Sequence, residues 1–232
     1  MSEPWIFCFP YAGGNPRMFD DWRRPLAGAA ELVAMPVRGA SIDEVIEAAT
    51  ATIGSAMADD PRPVYLFGHS LGALVAFEVA RRLDAQPALR HLVASGLAAP
   101  SLLPSERVRE LVRLDGREFA EALGFFGGLP PEVIADEDVL ELLLPGMLAD
   151  FRLAAGYRYR PAEPLAVDVS LINGRDDPHV GPAQLKAWSR ECRRPAVRHW
   201  ADGGHFYFDK DPTVVIEILG ALVGAENHVE LI

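Results

Sequence analysis

Residues Val64–Ala80 read VYLFGHSLGALVAFEVA. A short apolar run ends at Gly68, the polar pair His69–Ser70 follows, and a long apolar-periodic stretch begins at Leu71. The run before Gly68 has the length of a buried strand and the stretch after Ser70 that of a helix. The junction, Gly-His-Ser-Leu-Gly, fits G-x-S-x-G in the strand–turn–helix context that motif needs. A serine at the apex of so sharp a turn is held in a strained conformation with its side chain projected out of the sheet. Backbone on either side comes close together, so Gly68 and Gly72 leave room that a Cβ would block. The helix points its N-terminus at the serine, where partial positive charge favours a developing oxyanion.

Working outward, short apolar runs alternate with helical patterns. Trp5–Phe9, Glu31–Val37, Pro63–Gly68, His91–Gly96, Val169–Gly174 and Val197–Ala201 read as strands. Most are continuously apolar, as in a parallel sheet covered on both faces. Helices are expected from a capping box at Ser41–Glu44, from near Pro182, and from Asp211 as cap with Pro212 at the first helical position. This alternation implies an α/β fold, a mostly parallel doubly wound sheet of about six to seven strands. From Ala98 to Leu165 no strand signal appears and the patterns are helical, which reads as a helical lid inserted within a single domain spanning 1–232.

Composition narrows the class. Half of the 232 residues are hydrophobic, enough for one well-buried core, and the net charge of -11 argues against nucleic-acid binding. The two cysteines, Cys8 and Cys192, do not make a disulfide framework, and Cys8 lies in a strand-like run as a buried thiol would. No basic-then-apolar leader and no membrane-length apolar run is present, so a cytoplasmic protein that binds no membrane is expected, with a monomer as the default.

A serine hydroxyl needs a base, and the base an orienting acid; in this architecture the chain order is Ser, acid, His. Six histidines are available. His69 adjoins Ser70 and should point away and pack against the sheet. His91 starts a strand, His179 follows the acid candidates too closely, His199 lies within a strand and His228 in the tail. His205, in the glycine-loosened loop ADGGHFYF, remains as the base. The loop after His91–Gly96 holds no carboxylate, whereas the loop after Val169–Gly174 offers Asp176 and Asp177. Asp202 lies too near His205 along the chain and reads as a turn former. An oxyanion hole needs two backbone N–H donors. One is expected at Leu71 and the other at Ala12 in the loop PYAGGNPRMF, with Gly13 as the fallback. If the second strand pairs outside the first, these loops flank the crevice where the strand order reverses.

The stretches FCFPYAGG, GHSLGALVAFEVARRL, LLLPGMLADFRLAAGYRYRP, LINGRDDPHV and GGHFYF resemble, in order, the motifs of stand-alone type II thioesterases of polyketide and nonribosomal peptide synthases, within the α/β-hydrolase superfamily. The resemblance covers nearly the whole chain. It implies that the acid is the fourth residue of G-x-x-D, Asp177, and that the lid covers the acyl chain. It further implies hydrolysis of acyl groups from the phosphopantetheine arm of a carrier protein, in editing or product release, with no cofactor or metal of the enzyme's own. The chain departs from the family at MPVRGASIDEV, where Val37 replaces the glycine of P-G-R-G and the sequence runs straight to the capping box. A more open active-site rim is expected. Docking to an acidic carrier protein would use a local basic patch at Arg17, Arg23 and Arg24, or apolar contacts of the lid. The same triad would equally serve a small-molecule esterase or lipase, or an acyltransferase or cyclase. A catalytically silent carrier-binding partner is a further reading.

Overall fold

Six strands form one sheet: β1 (Trp5–Phe9), β2 (Glu31–Ala34), β3 (Val64–His69), β4 (Leu89–Ser95), β5 (Asp168–Gly174) and β6 (Val197–Ala201). This computed structural model describes residues 2–125, 129–209 and 211–229. The strand order is β2-β1-β3-β4-β5-β6 and every pairing is parallel. β1 and β3 are buried along their whole length, which is why their sequences are continuous apolar runs without alternation. β2 pairs with one side of β1 and β3 with the other. The chain thus changes direction across the sheet at β1, and the loops leaving β1 and β3 flank the switch point.

Four strands differ from the sequence reading: β3 and β5 by a single residue, and β2 and β4 by more, for local reasons. β2 ends at Ala34 rather than Val37. Met35 N–H still reaches the Cys8 carbonyl at 2.8 Å, but Pro36 has no N–H to continue a ladder. β4 starts at Leu89, two residues before His91, where the register shifts between Val64 and Tyr65. His91 therefore lies within the strand, its Nε2 2.9 Å from Ser170 Oγ.

The helices pack on both faces. On one face lie α2 (Ile42–Asp59) and α3 (Leu71–Leu83); on the other lie α1 (Asp20–Leu26) and α9 (Thr213–Val229). The capping box at α2 forms, since Ser41 Oγ accepts Glu44 N–H at 3.2 Å. Glu44 reaches back one residue further than the motif requires, to Ala40 N–H at 3.0 Å. α9 starts one residue later than expected: the Pro212 carbonyl takes the first helical bonds, so Pro212 holds the cap position, and Asp211 Oδ1 accepts Thr213 N–H at 2.9 Å. Between β4 and β5 lie α4 (Glu106–Leu111), α5 (Gly116–Phe125), α6 (Pro131–Ile134) and α7 (Glu137–Gly156), with their own small apolar core around Leu111, Phe119, Leu123, Leu140 and Leu144. Residues Phe126–Gly128 of this interval lie outside the described residues. The segment returning from these helices is pinned by Asp84, at the end of α3, whose carboxylate accepts the N–H groups of Ala166 and Val167 at 3.0 Å. α8 (Pro182–Lys186) runs on into a tighter 3-10 turn at Ala187–Arg190.

Packing is tight at the turn leaving β3. A Cβ added to Gly72 would stand 2.1 Å from the Phe9 carbonyl oxygen, and one added to Gly68 would stand 2.3 Å from the Gly72 carbonyl oxygen. The Gly68–Gly72 turn and the end of β1 are thus in backbone contact. Replacing Gly72 with alanine should lower the urea midpoint sharply or abolish soluble protein. Gly146→Ala on α7, where an added Cβ meets nothing within 4 Å, should leave the midpoint unchanged or raised, because alanine favours a helix over glycine by about 0.5–1 kcal/mol.

Candidate active site

Ser70 sits at φ 52° and ψ -116°, and among the described residues it is the one non-glycine residue with positive φ. Its backbone is held from both sides: its N–H donates to the Ser95 carbonyl at 2.9 Å and its carbonyl accepts Leu74 N–H at 3.1 Å. The side chain caps nothing on α3. Instead Ser70 lines a cavity of about 1040 Å³ under the helices between β4 and β5.

His205 lines the same cavity from the loop between β6 and α9. Its ring is buried, and Nδ1 lies 2.8 Å from Asp177 Oδ2. The Asp177 side chain is fully enclosed, and its other oxygen accepts the N–H groups of His179 at 2.8 Å and Val180 at 3.1 Å. Burial works to raise the Asp177 pKa. The hydrogen bond and charge of His205, with the two backbone N–H groups, outweigh it, and the carboxyl lies below its ordinary value. With Nδ1–H donated to a carboxylate, the lone pair of Nε2 is left as the basic position. Among the described residues no hydrogen bond joins Ser70 directly to His205; such bonds often tighten only when substrate is bound.

Of the two acids that the sequence left open, the fold brings Asp177 to the imidazole. Asp176 is exposed, its N–H bonded to the Gly203 carbonyl, and Asp202 pairs with Arg175 at 3.2 Å on the surface. His199 lies in β6, and His228 lies in the last turn of α9, its side chain outside the described residues.

His69 packs inward, as its position beside Ser70 suggested, but it belongs to a network that the sequence did not reveal. Its fully buried Nδ1 is 2.8 Å from Ser95 Oγ, which is 2.7 Å from Tyr207 Oη. The ring centroid is 4.8 Å from that of His205. Burial, with the neighbouring His205, pushes the His69 pKa well down and keeps the ring neutral. Ser95 thereby links three elements: the nucleophile turn through its carbonyl, and His69 and the His205 loop through its hydroxyl. The only sequence hint was a polar residue closing the apolar run Leu92–Ala94 of β4.

Leu71 and Ala12 both line the cavity. Leu71 N–H heads α3, where a helix leaves its first donors without intrahelical partners. Ala12 lies in a turn closed by Gly14 N–H on the Tyr11 carbonyl at 2.8 Å. The fallback donor, Gly13, has φ 82° and its N–H is already bonded to Asp150 Oδ2 at 2.8 Å. Apolar side chains of Leu74, Leu97, Leu103, Met147 and Phe151 make up much of the remaining wall, with Arg38 and Asp150 among the charged groups. Val37, which departs from the glycine of the family motif, is buried in the main core.

A thioesterase-domain family model matches residues 4–223. The chain belongs to the thioesterase family. Among curated relatives, "Linear gramicidin dehydrogenase LgrE" of Brevibacillus parabrevis is 31% identical over 94% of this chain and 87% of its own. "Thioesterase PikA5" of Streptomyces venezuelae is 30% identical over 88% and 75%. The solved structure of the type II thioesterase BorB from the borrelidin biosynthetic cluster superposes with a TM-score of 0.82 at 29% identity, over 96% of this chain and 93% of that one.

This thioesterase should lose stability on acidification through Asp177. Its native pKa lies below the unfolded value of about 3.9, so the ionised carboxylate stabilises the fold fully above that value. The contribution disappears as pH falls through the depressed native value. Urea unfolding followed from about pH 6 to about pH 2.5 should show a steeper acid loss in the wild type than in Asp177→Asn. Parallel curves would show that the carboxylate is not held as described.

Proposed function

We propose that the protein hydrolyses acyl thioesters carried on the phosphopantetheine arm of a carrier protein, as an editing or releasing enzyme of polyketide or nonribosomal peptide synthesis. The observation that carries this reading is the buried Asp177–His205 pair opening onto the cavity that Ser70 lines from its strained turn.

Ser70 Oγ attacks the thioester carbonyl as His205 Nε2 takes its proton. The carbonyl oxygen becomes an oxyanion facing Leu71 N–H and Ala12 N–H. The C–S bond then breaks, and the pantetheine thiolate leaves with the proton from His205. Water attacks the resulting ester of Ser70 with His205 again as base, releasing the carboxylic acid and restoring the hydroxyl. Asp177 holds the imidazole in its reactive tautomer and stabilises its charged form. Each oxyanion donor contributes about 3–4 kcal/mol to such a transition state. The helices between β4 and β5 serve as the lid over the acyl chain.

The proposed partner is an acyl or peptidyl carrier protein, and the enzyme is proposed to act as a cytoplasmic monomer. Of the two docking routes, the lid has the stronger support. Leu142 and Leu143 on α7 are 80% and 40% exposed and belong to the cavity lining. Arg23, by contrast, is spent on the Leu32 carbonyl and on Asp20.

Hydrolysis of one acyl group should be measured as the carrier-bound thioester and as a matched small oxygen ester. We expect the thioester to be preferred by at least about tenfold in kcat/KM, and Ser70→Ala to lose at least about a thousandfold. Preference for the oxygen ester would favour an esterase, and turnover retained in Ser70→Ala would reject the scheme.

A further inference from the structure

The second half of the oxyanion hole stands on a weak foundation by itself. The turn Tyr11–Gly14 contains two glycines in succession, and glycine has more backbone freedom to lose than any other residue. A donor is useful in catalysis only if it is already aimed when charge develops. Something must hold this turn.

Both of its inner peptides are fixed. The Tyr11 carbonyl accepts Gly14 N–H at 2.8 Å, so it points into the turn. In a trans peptide the N–H opposes the carbonyl, so Ala12 N–H points out of it. The next N–H, that of Gly13, is held from outside the turn by Asp150 Oδ2 at 2.8 Å, across 137 residues of sequence. Asp150 lies on α7, one helical turn after Met147, so both present to the same face. That face is where the turn sits: a Cβ on Gly13 would come within 3.1 Å of Met147 Cγ and Cε, and at φ 82° only glycine is unstrained there. Asp150 is half-buried and lines the cavity. Burial raises its pKa, while the Gly13 N–H and the charge of Arg38 favour its ionised form.

We propose that Asp150 is a positioning residue for the oxyanion hole, its carboxylate fixing the Tyr11–Gly14 turn so that Ala12 N–H is aimed at the reaction centre. The second donor then depends on where α7 lies, and α7 also walls the acyl cavity. The inference rests on the thioesterase reading above and deepens it.

The test compares Asp150→Ala with Asp150→Asn, which keeps an oxygen able to accept Gly13 N–H. Each is assayed for thioester hydrolysis and for inhibition by an acyl trifluoromethyl ketone. That inhibitor is attacked by Ser70, its carbonyl oxygen becoming an oxyanion as the hydroxyl proton passes to His205. We expect Asp150→Ala to lower kcat about 10- to 100-fold with KM within about threefold, and to weaken the inhibitor by the same factor as kcat/KM. Asp150→Asn should keep both within about fivefold of wild type. Asp150→Ser, whose side chain is too short to reach Gly13, substitutes for the alanine variant if that protein does not fold. A short-side-chain variant with wild-type kcat, or with kcat lost but inhibitor affinity intact, overturns the proposal, as does an asparagine variant equally impaired. None of these results touches the thioesterase reading, which would fail instead if Ser70→Ala kept its turnover.

Discussion

The structure depends on one strained residue. Ser70 occupies a backbone conformation that side chains rarely adopt, and it does so because strand, turn and helix are clamped around it. Gly68 and Gly72 let the turn close, the Phe9 carbonyl lies against Gly72, and the Ser95 carbonyl holds the Ser70 N–H. These contacts come from β1, β3 and β4, three adjacent strands of the sheet. A serine in an ordinary helix or strand would lie along the element; this one is pushed off it, toward the cavity.

The same clamp aligns the rest of the site. Because β1 and β3 are neighbours, the turn after β1 and the N-terminus of α3 meet at the switch point. β5 and β6 then deliver the acid and the imidazole from consecutive loops, 28 residues apart in sequence and 2.8 Å apart in space. Ser95 ties the two halves together beneath the surface through His69 and Tyr207. The elements between β4 and β5 add little to the sheet. They close the cavity and bring Asp150 to Gly13.

Much of this was legible in the sequence because it is local. Gly-His-Ser-Leu-Gly between an apolar run and an apolar-periodic stretch announces a strand–turn–helix without any long-range information, and the order serine, acid, histidine limits the partners. Elimination on the loops alone left Asp176 and Asp177 both open; their difference is which way each side chain turns, a tertiary matter that only the family motif addressed in advance. β2 stops short of its apolar run because Pro36 ends a ladder that hydrophobicity would continue, and β4 starts before its own run where the register shifts. Asp150 was invisible for a different reason. It is the only carboxylate between Leu142 and Gly156, but an acid on a helix is ordinarily solvated, and nothing local shows that it faces a glycine 137 residues away.

The central claim is that Ser70 carries the acyl group between the two half-reactions. It is tested most directly by mixing the enzyme with an acyl-loaded carrier protein, quenching within the first turnover, and mapping the acyl mass by peptide mass spectrometry. The account predicts an ester on the peptide containing Ser70, formed together with free carrier thiol. An acyl group found on another residue, or complete hydrolysis with no adduct at any quench time, would contradict it.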